Sequence, residues 1–237
     1  MAETNLSVLQ NTQARANGLL KHVYGYMFVG LLLTSVFSFL VSQSSRAVAF
    51  IYSNPFVTII LCVAELALVF YLSARIERIS MRSAQLCFFA YSILTGVTLS
   101  SVFLVYTGAS IAKAFVTTCL MFGGLTVYAG VTKRNIASWG TYLMMGLWGI
   151  IIAGAINMFF GFRSVDLLIS VLGVVVFLGL TVYDTKRVLD MNREYGSEMT
   201  EDEYVKLGVI GALNLYLDFL NIFLYLLRLF SSSSRDK

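Results

Sequence analysis

Two carboxylates set in long apolar runs carry the chemistry of this chain. Asp218 lies inside the run 207–230, LGVIGALNLYLDFLNIFLYLLRLF, and Asp184 closes the preceding run in the string GLTVYDTKRV. An acid near the middle of a membrane span costs about 2.5–3.5 kcal/mol on insertion scales, so a segment that served only as an anchor would carry leucine there. Glu65 is a third acid, well inside the run 56–74, and Arg75 follows the end of that run. Acids on consecutive apolar segments point to a site that handles protons or cations. The last run also carries a stripe. Gly211, Asn214, Asp218, Asn221 and Tyr225 recur at spacings of three or four and share one helix face. A polar stripe on a membrane helix must face protein or a water-filled cavity. Asn214 and Asn221 are read either as lining of that cavity or as hydrogen-bonding glue between helices.

The elements that must position these residues are helices. Of 237 residues, 58% are hydrophobic and 13% charged, far from the balance of a soluble domain. A single proline, Pro55, leaves most of the chain free to form long uninterrupted helix. The net charge of +4 comes from basic residues between the apolar runs, which reads as membrane orientation and not nucleic-acid binding. Cys62, Cys87 and Cys119 all lie within apolar runs without metal-ligand spacing, and the lone histidine, His22, leaves almost no material for a histidine metal site or Ser-His catalysis.

Seven runs are long enough to cross a bilayer as helix: 24–41, 56–74, 84–106, 111–131, 139–160, 167–183 and 207–230. Several links between them are very short, which forces antiparallel neighbours. The sequence therefore predicts an all-α integral membrane protein, a bundle of seven transmembrane helices. It divides into a polar tail at 1–23, the helical domain at 24–230 and a short tail at 231–237. The first run is predicted to be a retained signal anchor and not a cleaved peptide. Arg15, Lys21, Arg75, Arg78, Arg82, Lys133, Arg134, Lys186, Arg187, Arg193 and Lys206 fall on one side, against Arg46, Lys113 and Arg163 on the other. That imbalance predicts a cytoplasmic N-terminus. Seven crossings then put the C-terminus outside, although Arg228, Arg235 and Lys237 weaken the rule there, and a re-entrant last segment stays open.

By hydropathy alone, Asp218 sits deep in its run and Asp184 at the edge of its own, a mismatch of roughly 15 Å at the helical rise per residue. The two acids can meet if the sixth helix continues past Asp184 and the last helix is sheltered. Glu65 follows a helix-start signal, Asn54-Pro55. It is read as lining the same cavity as Asp218 or as a purely structural acid, and Arg75 as a partner of the acids or a plain basic anchor. Gly146, Gly149, Ala153 and Asn157 form a small-residue face, expected at a close helix contact.

The strings GLTVYDTKRV and ALNLYLDFLNIFLYLLRLF closely resemble the Bax inhibitor-1 (transmembrane Bax inhibitor motif) family. With Glu65 and the NPF start, the resemblance covers nearly the whole chain. It implies seven helices with the last one central, surrounded by the other six. It also implies a pH-sensitive calcium leak across a membrane, with a role in calcium homeostasis and protection against cell death. The family's paired aspartates fall on Asp184 and Asp218 and its second-span glutamate on Glu65. Arg75 is the candidate for an arginine that meets the pair. On this reading Asp184, Asp218 and Glu65 give calcium transient oxygen ligands, and Asn214 and Asn221 join the pore or gate. The resemblance implies no tightly bound cofactor, with calcium as permeant ion. The partners are membrane lipid, calcium and protons, the state a monomer, and the place a bacterial plasma (inner) membrane. The loop between the aspartates, with its acidic Thr200-Glu201-Asp202-Glu203, looks longer than in compact bacterial members.

Two other classes use the same residues. Intramembrane aspartyl proteases carry Tyr-Asp on one span, matched by Tyr183-Asp184, but Gly-x-Gly-Asp on the next. Here that string is Leu215-Tyr216-Leu217-Asp218, so the chain is not expected to be an enzyme. The third class is a non-transporting regulator that binds membrane proteases or death-pathway proteins.

Overall fold

The computed structural model describes the backbone of residues 2–132, 134–195 and 199–235, and all regular structure among them is helical. The helices are α1 (Ala2–Ser42), α2 (Ser45–Tyr52), α3 (Pro55–Arg75), α4 (Met81–Thr98), α5 (Val102–Val105), α6 (Gly108–Val131), α7 (Trp139–Phe160), α8 (Arg163–Tyr195) and α9 (Glu201–Arg235). A 3-10 turn, Leu99–Ser101, joins α4 to α5. Seven segments are long and apolar enough to cross a membrane: Gly18–Ser42, Pro55–Arg75, Met81–Val105, Gly108–Val131, Trp139–Phe160, Arg163–Glu194 and Glu201–Ser231. The molecule is an all-α, multi-pass membrane protein.

Local sequence sets the ends. Asn54 caps α3 by accepting from Phe56 N–H at 3.1 Å, with Pro55 in the first turn. Ser80 and Thr107 cap α4 and α6 in the same way. Gly161 closes α7 with φ +67°, a left-handed conformation suited to glycine. Asn157 holds the turn that follows: its Oδ1 accepts from Phe162 N–H, and its Nδ2 donates to Phe162 O and Asp166 Oδ1.

Three boundaries and one helix face differ from expectation. Residues 1–23 do not form a separate tail, because α1 already begins at Ala2 and Leu19 and Val23 are fully buried. The segment 231–237 starts as helix, since α9 continues to Arg235. The sixth span runs past 183 to Tyr195, because hydropathy marks where apolar side chains stop and not where backbone hydrogen bonding does. The small-residue face of α7 is only partly a contact: Gly146 lies against Val176, whereas Gly149 is exposed with open space around it. Lys133 and Lys237 lie outside the described residues.

The chain divides into two compact units. The first, Met1–Val105 with Val188–Tyr216, is built on a tight crossing of α1 and α4. A Cβ at Gly96 would come within 2.7 Å of the Thr34 carbonyl, and one at Gly30 within 2.7 Å of the Phe88 ring. Thr34 Oγ1 donates to the Gly30 and Ser92 carbonyls, both at 2.9 Å, and shares a 2.7 Å hydrogen bond with the Tyr216 hydroxyl. The second unit, Tyr106–Arg187 with Leu217–Lys237, holds α6, α7, most of α8 and the later half of α9. Phe219 meets Phe115 and Phe122 of α6 edge-on. Tyr225 lies against Gly173, and Tyr183 against Gly140. α9 is the most enclosed span: between 207 and 230 only Arg228 is exposed, whereas α3 buries only Leu72.

Candidate functional site

The aspartates belong to the second unit and are carried by α8 and α9. α8 continues about three turns past Asp184. α9 begins well before Asp218 and shelters it. Both conditions for bridging the depth mismatch are therefore met. The structure brings Asp184 within electrostatic reach of Asp218. Arg187, nearly one turn beyond Asp184, is the other charge acting on it. Asp218 is 3% exposed, and its Oδ2 has no hydrogen-bond partner among the described residues. An unmet buried polar atom costs roughly 1–3 kcal/mol. That oxygen is open to a proton, a water or a cation.

Aromatic contacts flank the pair on both helices. Phe219 wedges into α6 one residue after Asp218, and Tyr183 presses on Gly140 one residue before Asp184. By sequence, Lys186 counts as an orienting surface charge. It is buried instead, and its Nζ donates to the Thr132 carbonyl at 3.1 Å. Thr132 caps the C-terminus of α6, so a cation meets the negative end of that helix. No signal in the sequence separates Lys186 from the exposed Arg187 beside it.

The stripe on α9 lies inside protein, as does the rest of that helix. Gly211 is buried, and Asn214, Asn221 and Tyr225 are partly buried. Asn221 Nδ2 donates to Leu217 O of its own helix at 2.8 Å. That bond is local and does not bridge helices.

Glu65 belongs to the first unit. It is half-buried on α3, and its Oε1 accepts from Thr98 Oγ1 at 2.5 Å. Thr98 stands at the break in the third span. There the Tyr52 hydroxyl donates to Thr98 O at 2.9 Å, accepts from Ser101 N–H and pairs with Ser100 Oγ. Arg75 ends α3 with an exposed side chain, the position of an interfacial anchor. Among the described residues, no three histidine, cysteine or acidic side chains gather to hold a metal ion.

Sequence reasoning missed the buried polar contacts of the first unit. Their signal was present: Gly30, Thr34 and Ser38 on α1, and Phe88, Ser92 and Gly96 on α4, each recur at spacings of four.

The family model described as "Inhibitor of apoptosis-promoting Bax1" matches residues 16–235. The chain belongs to the Bax inhibitor-1 family. It is 42% identical to Inner membrane protein YbhL of Escherichia coli K12 over 210 residues, 89% of each chain. It is 41% identical to a protein of Borreliella burgdorferi over 222 residues, 93% of this chain and 94% of that one. Protein lifeguard 4 of Mus musculus is 30% identical over 211 residues, 88% of this chain and 82% of its own. Both the α8 and α9 strings of this Bax inhibitor-1 family chain fall within the matched range.

Proposed function

We propose that this chain is a pH-sensitive calcium leak of a bacterial plasma membrane, gated by the Asp184–Asp218 pair. The observation that carries the reading is the setting of Asp218: almost fully buried in a membrane helix, one oxygen without a protein partner, and Asp184 within electrostatic reach. Two carboxylates in a low-dielectric site do not readily ionise together, and they share a proton. With that proton the pair forms a neutral hydrogen bond that clasps α8 to α9. Without it the carboxylates repel each other and attract cations. Flux therefore rises with pH through the second ionisation.

Calcium passes as the transported ion. A leak needs weak ligands, so pairwise and transient contacts with Asp218, Asp184, Glu65 and the amides of Asn214 and Asn221 suffice. The chain works as a monomer with a cytoplasmic N-terminus, without a resident cofactor, and supports calcium homeostasis under stress. The inner-membrane relative YbhL supports the location.

A second reading is favoured by the words of the family description, which name inhibition of a death-promoting protein. On that reading the chain regulates other membrane proteins without transport. Purified protein in calcium-indicator liposomes separates the classes. The leak reading expects calcium entry that depends on protein and on pH. Peptide cleavage would support a protease, and a silent but folded protein would support the regulator.

A further inference from the structure

Three phenylalanines crowd the turn between α7 and α8. Phe159, Phe160 and Phe162 are 83%, 66% and 59% exposed. Phe160 and Phe162 stack, with ring centroids 5.9 Å apart and planes within 4° of parallel. In water such a cluster is unfavourable, because each ring leaves its apolar surface hydrated. A tight turn that faces solvent is normally written in polar residues.

The backbone of this turn finds its partners within the protein. Gly161 N–H donates to the Asn157 carbonyl at 2.7 Å. Phe162 N–H donates to Asn157 Oδ1 at 3.1 Å, and the Phe162 carbonyl accepts from Asn157 Nδ2 at 3.2 Å. The same carbonyl accepts from the N–H groups of Val165 and Asp166, both at 3.1 Å, where α8 starts. Asn157 is buried, and its Nδ2 reaches Asp166 Oδ1 as well. In water the solvent would serve these groups, whereas in hydrocarbon the protein itself must. Asp166, the first acid of α8, also has the Arg228 guanidinium 4.0 Å away, so its charge is not left alone.

Continuity identifies what covers the rings. Trp148, Ile152, Ile156 and Phe159 are exposed at spacings of four and three, one face of α7. α7 is one of the spans long and apolar enough to cross a membrane. Its 22 residues make about 33 Å of helix, close to the roughly 30 Å of a hydrocarbon core. The phenylalanines carry the apolar face past the end of the helix, and the next charged residue is Arg163. A docking site for another protein has a polar rim. No exposed polar side chain separates this turn from the face that precedes it.

We propose that the α7–α8 turn lies within the bilayer, with the rings of Phe159, Phe160 and Phe162 among lipid acyl chains just below the headgroups. Arg163 then stands at headgroup level, as a long basic side chain at a span end does. The turn is an apolar anchor that fixes the start of α8, the helix that carries Asp184. This holds whether or not the chain leaks calcium.

Spin labels on the full chain in liposomes test it. Phe159→Cys, Phe160→Cys and Phe162→Cys, each in a background without Cys62, Cys87 and Cys119, take a nitroxide at an exposed position. Power-saturation EPR compares oxygen, which concentrates in hydrocarbon, with a nickel chelate, which stays in water. Oxygen should relax all three labels several-fold more than nickel does, as it should at the lipid-facing reference Ile152→Cys. Nickel exceeding oxygen puts the turn in water and overturns the proposal. An immobile label reached by neither puts protein over the turn and overturns it as well. Should one cysteine variant fail to fold, the other two decide. Phe160→Trp in a chain with Trp139→Phe and Trp148→Phe gives a second measurement. Lipids brominated in their acyl chains should quench its fluorescence several-fold, and unquenched fluorescence contradicts the anchor.

Discussion

Asp218 and Glu65 are both acids in apolar helices, yet their surroundings differ. Asp218 is buried with an unpartnered oxygen, while Glu65 is half-buried and accepts a hydrogen bond from Thr98. That contact makes Glu65 the sharper test of role. Glutamine keeps an acceptor oxygen for Thr98, so Glu65→Gln retains the bond and should cost no more than about 1 kcal/mol of stability. It removes a charge, so calcium flux should fall by more than stability does. Melting temperature and flux measured on the same purified variant decide the matter. A well-folded Glu65→Gln with wild-type flux removes Glu65 from the route. At this scale the sequence was partly legible. The cost of an intramembrane acid singled out Asp218, Asp184 and Glu65 by residue type and position alone. It could not distinguish the buried Lys186, because a lysine at the end of an apolar run reads the same whether it faces water or the end of α6.

The crossing of α1 and α4 shows what a residue list leaves out. Glycines in membrane helices serve either close approach or nothing local, and the backbone distances separate the two. At Gly96 a Cβ would press on the Thr34 carbonyl, a backbone atom that cannot swing aside. At Gly124 on α6 nothing lies within 4 Å. Gly96→Ala should therefore destabilise the protein by about 1–3 kcal/mol. Gly124→Ala should be neutral or stabilising by up to about 1 kcal/mol, since alanine is the better helix former. Thermal unfolding in detergent checks both, and equal effects would contradict the close crossing. Hydropathy located all seven spans, four of them within three residues at each end, because lipid-facing length is written in composition. It missed the polar ends of α1 and α8, which are helical without being apolar. It also missed the break at Leu99–Ser101, which Tyr52 stabilises from a distant part of the chain.

At the scale of the whole molecule, the proposed topology of seven crossings would place the ends of the chain on opposite sides of the bilayer. The proposed cytoplasmic N-terminus rests on the excess of basic residues on one side of the predicted spans. Glu3→Cys and Asp236→Cys, each in a background without Cys62, Cys87 and Cys119, should label from opposite sides with an impermeant maleimide, the first only after the membrane is opened. Labelling of both from one side would leave the last segment re-entrant and defeat the seven-crossing topology. The membrane class and the family are legible in the sequence alone, since composition and the α8 and α9 strings carry them. An electrostatic interaction between Asp184 and Asp218 was only permitted by the sequence, because it depends on how far α8 continues beyond its apolar part. The central claim is that this pair sets the response to pH, and calcium flux into liposomes across a pH series, for wild type and the two single variants, tests it most directly. Wild type should show a steep rise with pH. Asp218→Asn should lose the steepness and Asp184→Asn should blunt it, because one neutral amide removes the shared proton. Two single variants that both keep the wild-type profile would contradict the account.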